Sequence, residues 1–174
     1  MKFIETPLNG SFVIDLEKRE DERGFFARSL CQKEFESHGF YRLPVQANMS
    51  YNKKAGTIRG MHYQVEPHQE SKLIRCINGS IYDVIIDLRK DSPTYMQWFG
   101  IELNDENRTM LFVPENFAHG FLTLKDNSEI MYQMSEFYHF ESQRNIRYND
   151  PTFKIQWPIN VTVVSEKDMT IPNF

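Results

Sequence analysis

The chain has 174 residues, of which 40% are hydrophobic and 25% charged, with a formal net charge of −4. That length fits a single domain, 1–174, able to bury about two thirds of the surface its unfolded form exposes. Acidic and basic residues are interspersed rather than striped, which excludes a nucleic-acid partner, and no apolar run approaches the roughly 18 residues needed to cross a bilayer.

The N-terminal Met1-Lys2-Phe3-Ile4-Glu5-Thr6-Pro7 lacks the apolar stretch and small-residue cleavage site of a signal peptide, so a cytoplasmic address is expected. Cys31 and Cys76 are the only cysteines. They are far apart and outside any Cys-x-x-Cys or Cys/His pattern, so two reduced, packed thiols are expected rather than a disulfide or a structural zinc.

In chain order, a β-branched and aromatic run at 11–15 predicts a first strand, and 32–38 followed by Gly39 predicts a short helix with a glycine stop. Further strands are predicted at 72–77, 80–88, 98–103, 109–113, 120–124 and 129–134, with a little more helix near 105–108. Gly, Asn, Asp and Pro clusters separate them, and the regular spacing points to an antiparallel sandwich or barrel. No repeat, low-complexity tract or linker interrupts the chain.

Between the runs at 72–77 and 80–88 lies Asn78-Gly79. A two-residue type I′ turn needs positive φ at both positions, which Asn-Gly tolerates best, so a hairpin is expected there. Its register would set Ile77 opposite Ser80, Ile74 opposite Asp83 and Lys72 opposite Ile85, leaving Lys72 and Asp83 on one face among Ile74, Cys76, Ile81 and Ile85. Charges in such company are costly unless they pair or their face lines a cavity.

No Gly-x-Gly-x-x-Gly, Gly-x-x-x-x-Gly-Lys, Gly-x-Ser-x-Gly or His-Glu-x-x-His motif is present, which removes most of the weight from dehydrogenase, NTPase and serine-hydrolase functions. What remains is a set of polar and titratable residues in strand-like sequence: Arg59, His62, Lys72, Asp83, His119 and Tyr132. Each has a structural alternative, since a strand histidine can be a satisfied core imidazole and a strand tyrosine can be simple filling whose hydroxyl finds a partner. Strict alternation puts His62 on the same side as Gly60 and Gln64, and His119 follows a proline turn and opens the next strand.

Taken together, these stretches resemble the rhamnose-pathway 3,5-epimerase family, enzymes of dTDP-4-dehydro-6-deoxyglucose. The matching strings are Asp21-Glu22-Arg23-Gly24-Phe25-Phe26, Gln46-Ala47-Asn48-Met49-Ser50, Arg59-Gly60-Met61-His62-Tyr63-Gln64, Lys72-Leu73-Ile74-Arg75 and Asp83-Val84-Ile85-Ile86-Asp87-Leu88-Arg89. Later come Phe117-Ala118-His119-Gly120-Phe121, Asn149-Asp150-Pro151, Trp157-Pro158 and Ser165-Glu166-Lys167-Asp168. The resemblance covers nearly the full length.

It implies a mainly β fold, a double-stranded β-helix of the cupin-type jelly roll with a few short helices, and a homodimer with strand exchange between subunits. It implies no organic cofactor. It implies no metal either, because the His-x-His ligand pair of metal-binding cupins is broken by Gln64 after His62. The implied substrate is a nucleotide-diphosphate 4-keto sugar, whose C3 and C5 hydrogens are α to a carbonyl and acidic enough for a protein base only if the enolate is stabilised.

The resemblance makes His62 the base and Asp168 the group that orients its imidazole. Lys72 and His119 would stabilise negative charge on the C4 oxygen, Tyr132 would supply a proton from the opposite face, and Asp83 belongs to the same substrate-binding set. On the nucleotide side it places Arg23 and Arg59 near the diphosphate, Gln46 and Asn48 near the sugar nucleotide, Lys167 as an extra cation, Tyr138 stacking on the base, and Gln143 beside it. Phe26 would come from the partner subunit. Arg28, Ala47 and Gln143 stand where Glu, Asp and Glu are common, all expected on the nucleotide side, so the identity of the base stays open. Epimerisation at C3 alone, keto-isomerisation, and a non-catalytic sugar-binding cupin are the alternatives.

Overall fold

The computed structural model describes Met1–Phe174, folded into thirteen strands and two short helices. In order they are β1 (Lys2–Glu5), β2 (Phe12–Asp15), β3 (Arg19–Asp21), β4 (Gly24–Phe26), α1 (Gln32–Glu36), β5 (Gln46–Asn52), β6 (Ile58–Gln64) and β7 (Lys72–Asn78). Then follow β8 (Ser80–Asp87), β9 (Trp98–Asn104), β10 (Met110–Val113), β11 (Phe117–Thr123), β12 (Ser128–Met134), β13 (Gln143–Asn145) and α2 (Glu166–Met169). No helix is long and apolar enough to cross a membrane.

Two antiparallel sheets face one another, six strands in the order β1-β2-β10-β7-β12-β5 and five in the order β13-β6-β11-β8-β9. This is the antiparallel sandwich expected from the spacing of the strand-like runs, and the mainly β jelly roll that the resemblance implies. Between the sheets, Ile74, Cys76, Leu111 and Ile130 of the first meet Ile81, Ile85, Phe117 and Phe121 of the second. Leu73, Met110 and Phe112 point the other way, under Phe35 of α1, while Met61, Val84, Ile86 and Ala118 are covered by Ile146 and Phe153 from the C-terminal segment. A strand covered on both faces loses the alternation of a half-exposed one, which is why β8 reads Val84-Ile85-Ile86 without a polar break.

Two expectations are corrected. Asn78-Gly79 does not close a hairpin: β7 pairs with β10 and β12, whereas β8 pairs with β11 and β9. Gly79, at φ +81°, turns the chain from one sheet into the other, and a Cβ there would lie 2.5 Å from Ser128 Oγ. The glycine is needed, but for a corner between sheets. Lys72 and Asp83 therefore belong to opposite sheets and do not share a pairing register.

The second correction is at 105–108, where there is a tight turn between β9 and β10 instead of helix. The Asn104 side chain accepts from the backbone N–H of Glu106 (3.0 Å) and of Asn107 (2.7 Å), and Arg108 then turns to φ +54°. An asparagine that satisfies the next N–H groups itself removes the reason to continue a helix. The helix at 32–38 forms from Gln32 to Glu36, with Gly39 at φ +88° beyond it.

Candidate active site

Between the sheets at one end lies a cavity of about 870 Å³ whose wall includes Gln46, Asn48, Arg59, His62, Lys72 and His119, with Tyr132, Tyr138, Gln143, Lys167 and Asp168 completing it. Strand β6 supplies two of these through an irregularity. His62 is opposite His119 and Arg59 opposite Phe121, so Gly60 and Met61 together face the single residue Gly120. That bulge breaks period-two alternation. Arg59 and His62 thereby both reach the cavity, while Met61 is fully buried in the layer behind the sheet. Gly60 is not on His62's side in the sense strict alternation requires. It sits at φ +122°, where a Cβ would overlap Gly120 Cα.

Behind His62 stands Asp168, its Oδ1 3.3 Å from the imidazole Nε2. Asp168 is carried by α2, whose N-cap Ser165 accepts from the Asp168 N–H (3.1 Å), and the segment is tied to β6 by a parallel bridge between Thr57 and Val163. Burial alone would raise the Asp168 carboxyl, but the hydrogen bonds from His62 and Ser165 outweigh it and hold the group below its ordinary value. Asp168 thus stays an anion at neutral pH, suited to orienting the ring.

Tyr132 enters from β12 of the six-stranded sheet, paired with Asn48 on one side and Ile74 on the other. Burial pushes its phenol above the ordinary value, against weaker opposing effects of the Arg59 charge and the Asn48 hydrogen bond. The hydroxyl therefore keeps its proton at neutral pH and can donate it.

Lys72 is 7% exposed, and its Nζ lies 3.0 Å from Glu70 Oε1 and donates to the His62 carbonyl at 3.1 Å. Asp83 is fully buried behind His119, with Oδ1 2.7 Å from the His119 Nε2. It does not line the cavity. The expectation of direct substrate contact is corrected: Asp83 fixes His119, which itself lies within β11 rather than at its start.

At the outer end, Arg59 Nε donates to Asn52 Oδ1 (2.7 Å), and the Tyr138 hydroxyl to Gln143 Oε1 (2.6 Å). Lys167 Nζ lies 3.4 Å from the same Gln143 oxygen. Arg23 and Phe26 are not brought here. They lie on the β3–β4 hairpin, which joins neither main sheet, with the Phe26 residue 73% exposed. Of the three unusual positions only Gln143 reaches the cavity: Ala47 points outward from β5, and Arg28 pairs with Glu34 at 2.5 Å on the surface. Both departures from the expected nucleotide side follow from the pleat of β5 and from the place of Arg28 before α1.

Glu70, Asn52 and Ser165 were not anticipated as site residues. Ser165-x-x-Asp168 has the form of an N-capping box and is legible as a helix start. Asn52 carries no local signal, since it acquires its role through Arg59 on another strand, and Glu70, two residues before Lys72, acquires its role only because the fold buries both side chains.

Comparison with known proteins agrees with this geometry. The family model described as dTDP-4-dehydrorhamnose 3,5-epimerase matches residues 5–174. A dTDP-4-dehydrorhamnose 3,5-epimerase of Methanothermobacter thermautotrophicus is 43% identical over 170 residues, covering 96% of this chain and 91% of that protein. The crystal structure of the epimerase from Elizabethkingia anophelis superposes with a TM-score of 0.97 at 37% identity, covering 100% of this chain and 96% of that one. The Bacillus anthracis epimerase, with TDP and PPi bound, gives a TM-score of 0.95 at 42% identity and covers 99% of both chains.

Proposed function

The chain belongs to the dTDP-4-dehydrorhamnose 3,5-epimerase family, and from that membership we propose how it inverts C3 and C5 of a nucleotide-linked 4-keto-6-deoxy hexose. His62 removes the proton α to the C4 carbonyl, the C–H electron pair forms the new C–C double bond to C4, and the carbonyl π pair moves onto the C4 oxygen. Lys72 and His119, both on the cavity wall, stabilise the oxyanion. Tyr132 returns a proton to carbon from the other face as the enolate collapses to ketone, and inversion results. The carbonyl is the electron sink, so the scheme needs no redox or organic cofactor.

The observation that carries this mechanism is the placement of His62 and Tyr132 on opposite sheets facing one cavity, with Asp168 behind the imidazole. Arg59, Lys167, Gln46, Asn48, Tyr138 and Gln143 form its nucleotide end. Arginine's planar fork suits a diphosphate, and Tyr138 offers a ring for the base. A sugar-binding protein without activity has no use for an oriented base and a protonated phenol in the same cavity.

We assign Arg23 and Phe26 to the cavity of a second subunit, in a homodimer with strand exchange. Support comes from the free-standing β3–β4 hairpin with Phe25 and Phe26 exposed, and from Met49 and Tyr51, both exposed on the edge strand β5. A cytoplasmic location belongs to the same proposal. Incubation with dTDP-4-dehydro-6-deoxyglucose in D2O, followed by proton NMR, tests the function: deuterium is expected at C3 and C5, exchange at C3 alone would reduce the activity to monoepimerisation, and absence of exchange would refute it.

A further inference from the structure

Outside the cavity, His68, His139 and Glu141 bring one nitrogen or carboxylate oxygen each to within 4.8 Å of one another. The two imidazoles are stacked, with centroids 3.5 Å apart and planes 11° from parallel, and His139 Nδ1 lies 3.4 Å from Glu141 Oε1. None of the three belongs to the proton-transfer machinery.

The backbones that carry these side chains are fixed. Gln64 Nε2 donates to the carbonyls of His68 (2.9 Å) and Phe137 (3.1 Å), and Gln64 Oε1 accepts from the His139 N–H at 2.6 Å. The Val65 N–H donates to the Ser142 carbonyl at 3.0 Å, closing the same junction from the other side. One buried glutamine thus clamps the two loops that present the imidazoles.

We propose that His68, His139 and Glu141 form a binding site for a divalent transition ion of the Zn2+ class. The donors are two imidazoles and one carboxylate, a set that suits Zn2+ rather than the all-oxygen preference of Ca2+ or Mg2+. His68 Nδ1 lies 2.8 Å from Ser142 Oγ. With the ring proton on Nδ1 donated to that hydroxyl, Nε2 keeps its lone pair for the metal, the arrangement that orients metal-bound histidines generally.

The distances fit with small movements. Ligands about 2.0–2.1 Å from a tetrahedral ion are about 3.3–3.4 Å apart, close to the present 3.4 Å between His139 and Glu141. The parallel rings must tilt so that their lone pairs converge, and Glu141 must move inward, which its exposed position allows. Glu136, the neighbouring carboxylate, is paired with Arg42 at 2.9 Å, which leaves Glu141 as the charged ligand. Water would complete the coordination.

Tyr138 of the cavity rim lies between Phe137 and His139, both held by Gln64. A bound ion would fasten the rim strap that carries it while leaving His62 and Tyr132 untouched.

The test is calorimetric titration of Zn2+ into the tag-free, chelator-stripped full chain. One ion per chain is expected. His68→Ala and His139→Ala should each weaken binding by about tenfold or more, since even residues one step removed from a metal cost that much, whereas His62→Asn should not change it. No binding, or binding unchanged in both histidine variants, overturns the proposal, and loss of binding in His62→Asn alone would place the ion in the catalytic cavity and overturn it equally. A second measurement needs no variant: saturating Zn2+ should protect His68 and His139 of the wild-type chain from acylation by diethyl pyrocarbonate, mapped by peptide mass, and modification of both at an undiminished rate contradicts the site.

Discussion

His62 hangs from the five-stranded sheet and Tyr132 from the six-stranded sheet, and both reach into the same cavity. A planar enolate held between the sheets would have one group above it and one below. In the proposed mechanism the stereochemistry of inversion comes from the two layers of the fold rather than from any one loop.

In the proposed mechanism Asp168 orients the imidazole without a place of its own in bond making. Asp168→Asn keeps the shape but loses the anion 3.3 Å from Nε2. It should lower kcat by about a hundredfold, the lower end of what a positioned base contributes, with KM nearly unchanged. Steady-state kinetics decides this, and a rise in KM at constant kcat would make Asp168 a binding residue instead.

Glu70 and Lys72 form an ion pair whose side chains are 3% and 8% exposed. Removing one partner strands the other charge in the interior. Glu70→Leu should lower stability by about 3 kcal/mol and reduce kcat as well, because Lys72 loses the contact that aims it. Urea unfolding alongside kinetics measures both. Full stability in the variant would show that Lys72 finds another partner.

Asp87, at the end of β8, gives a pH dependence. Burial would raise its carboxyl, but hydrogen bonds from Arg89, Ser92 and Thr94 bring it down to about 2. A depressed carboxylate stabilises the fold fully above its unfolded value near 4, and that contribution is lost as pH falls through about 2. The size is about 2 kcal/mol at neutral pH. Asp87→Asn should be less stable by that amount at pH 7 and show a flatter stability curve between about pH 4 and 2, which urea midpoints across that range would reveal.

Much of this was legible in the residue order, and the exceptions share a cause. The apolar runs that became β7 to β12 announced themselves because burial imposes composition on each strand locally. Asn78-Gly79 misled because positive φ is a local requirement that a hairpin and a corner between sheets both meet, and only the partners of β7 and β8 distinguish them. Arg59 and His62 share the cavity through a bulge that alternation cannot foresee, although paired glycines at 60 and 120 are its sequence trace. Glu70 escaped notice because its role depends on Lys72 and on how deeply both are buried. Arg23 and Phe26 lie outside the cavity of their own chain, and the role expected of Phe26, like the one proposed for Arg23, involves a second one.

The most direct test of the two-sided mechanism is Tyr132→Phe assayed by proton NMR in D2O with dTDP-4-dehydro-6-deoxyglucose. If His62 removes and returns protons on one face and Tyr132 supplies the other, the variant should still exchange deuterium into the substrate with retained configuration while inverted product falls by about a hundredfold or more. Inverted product at the wild-type rate would contradict the assignment of Tyr132 as the opposite-face acid.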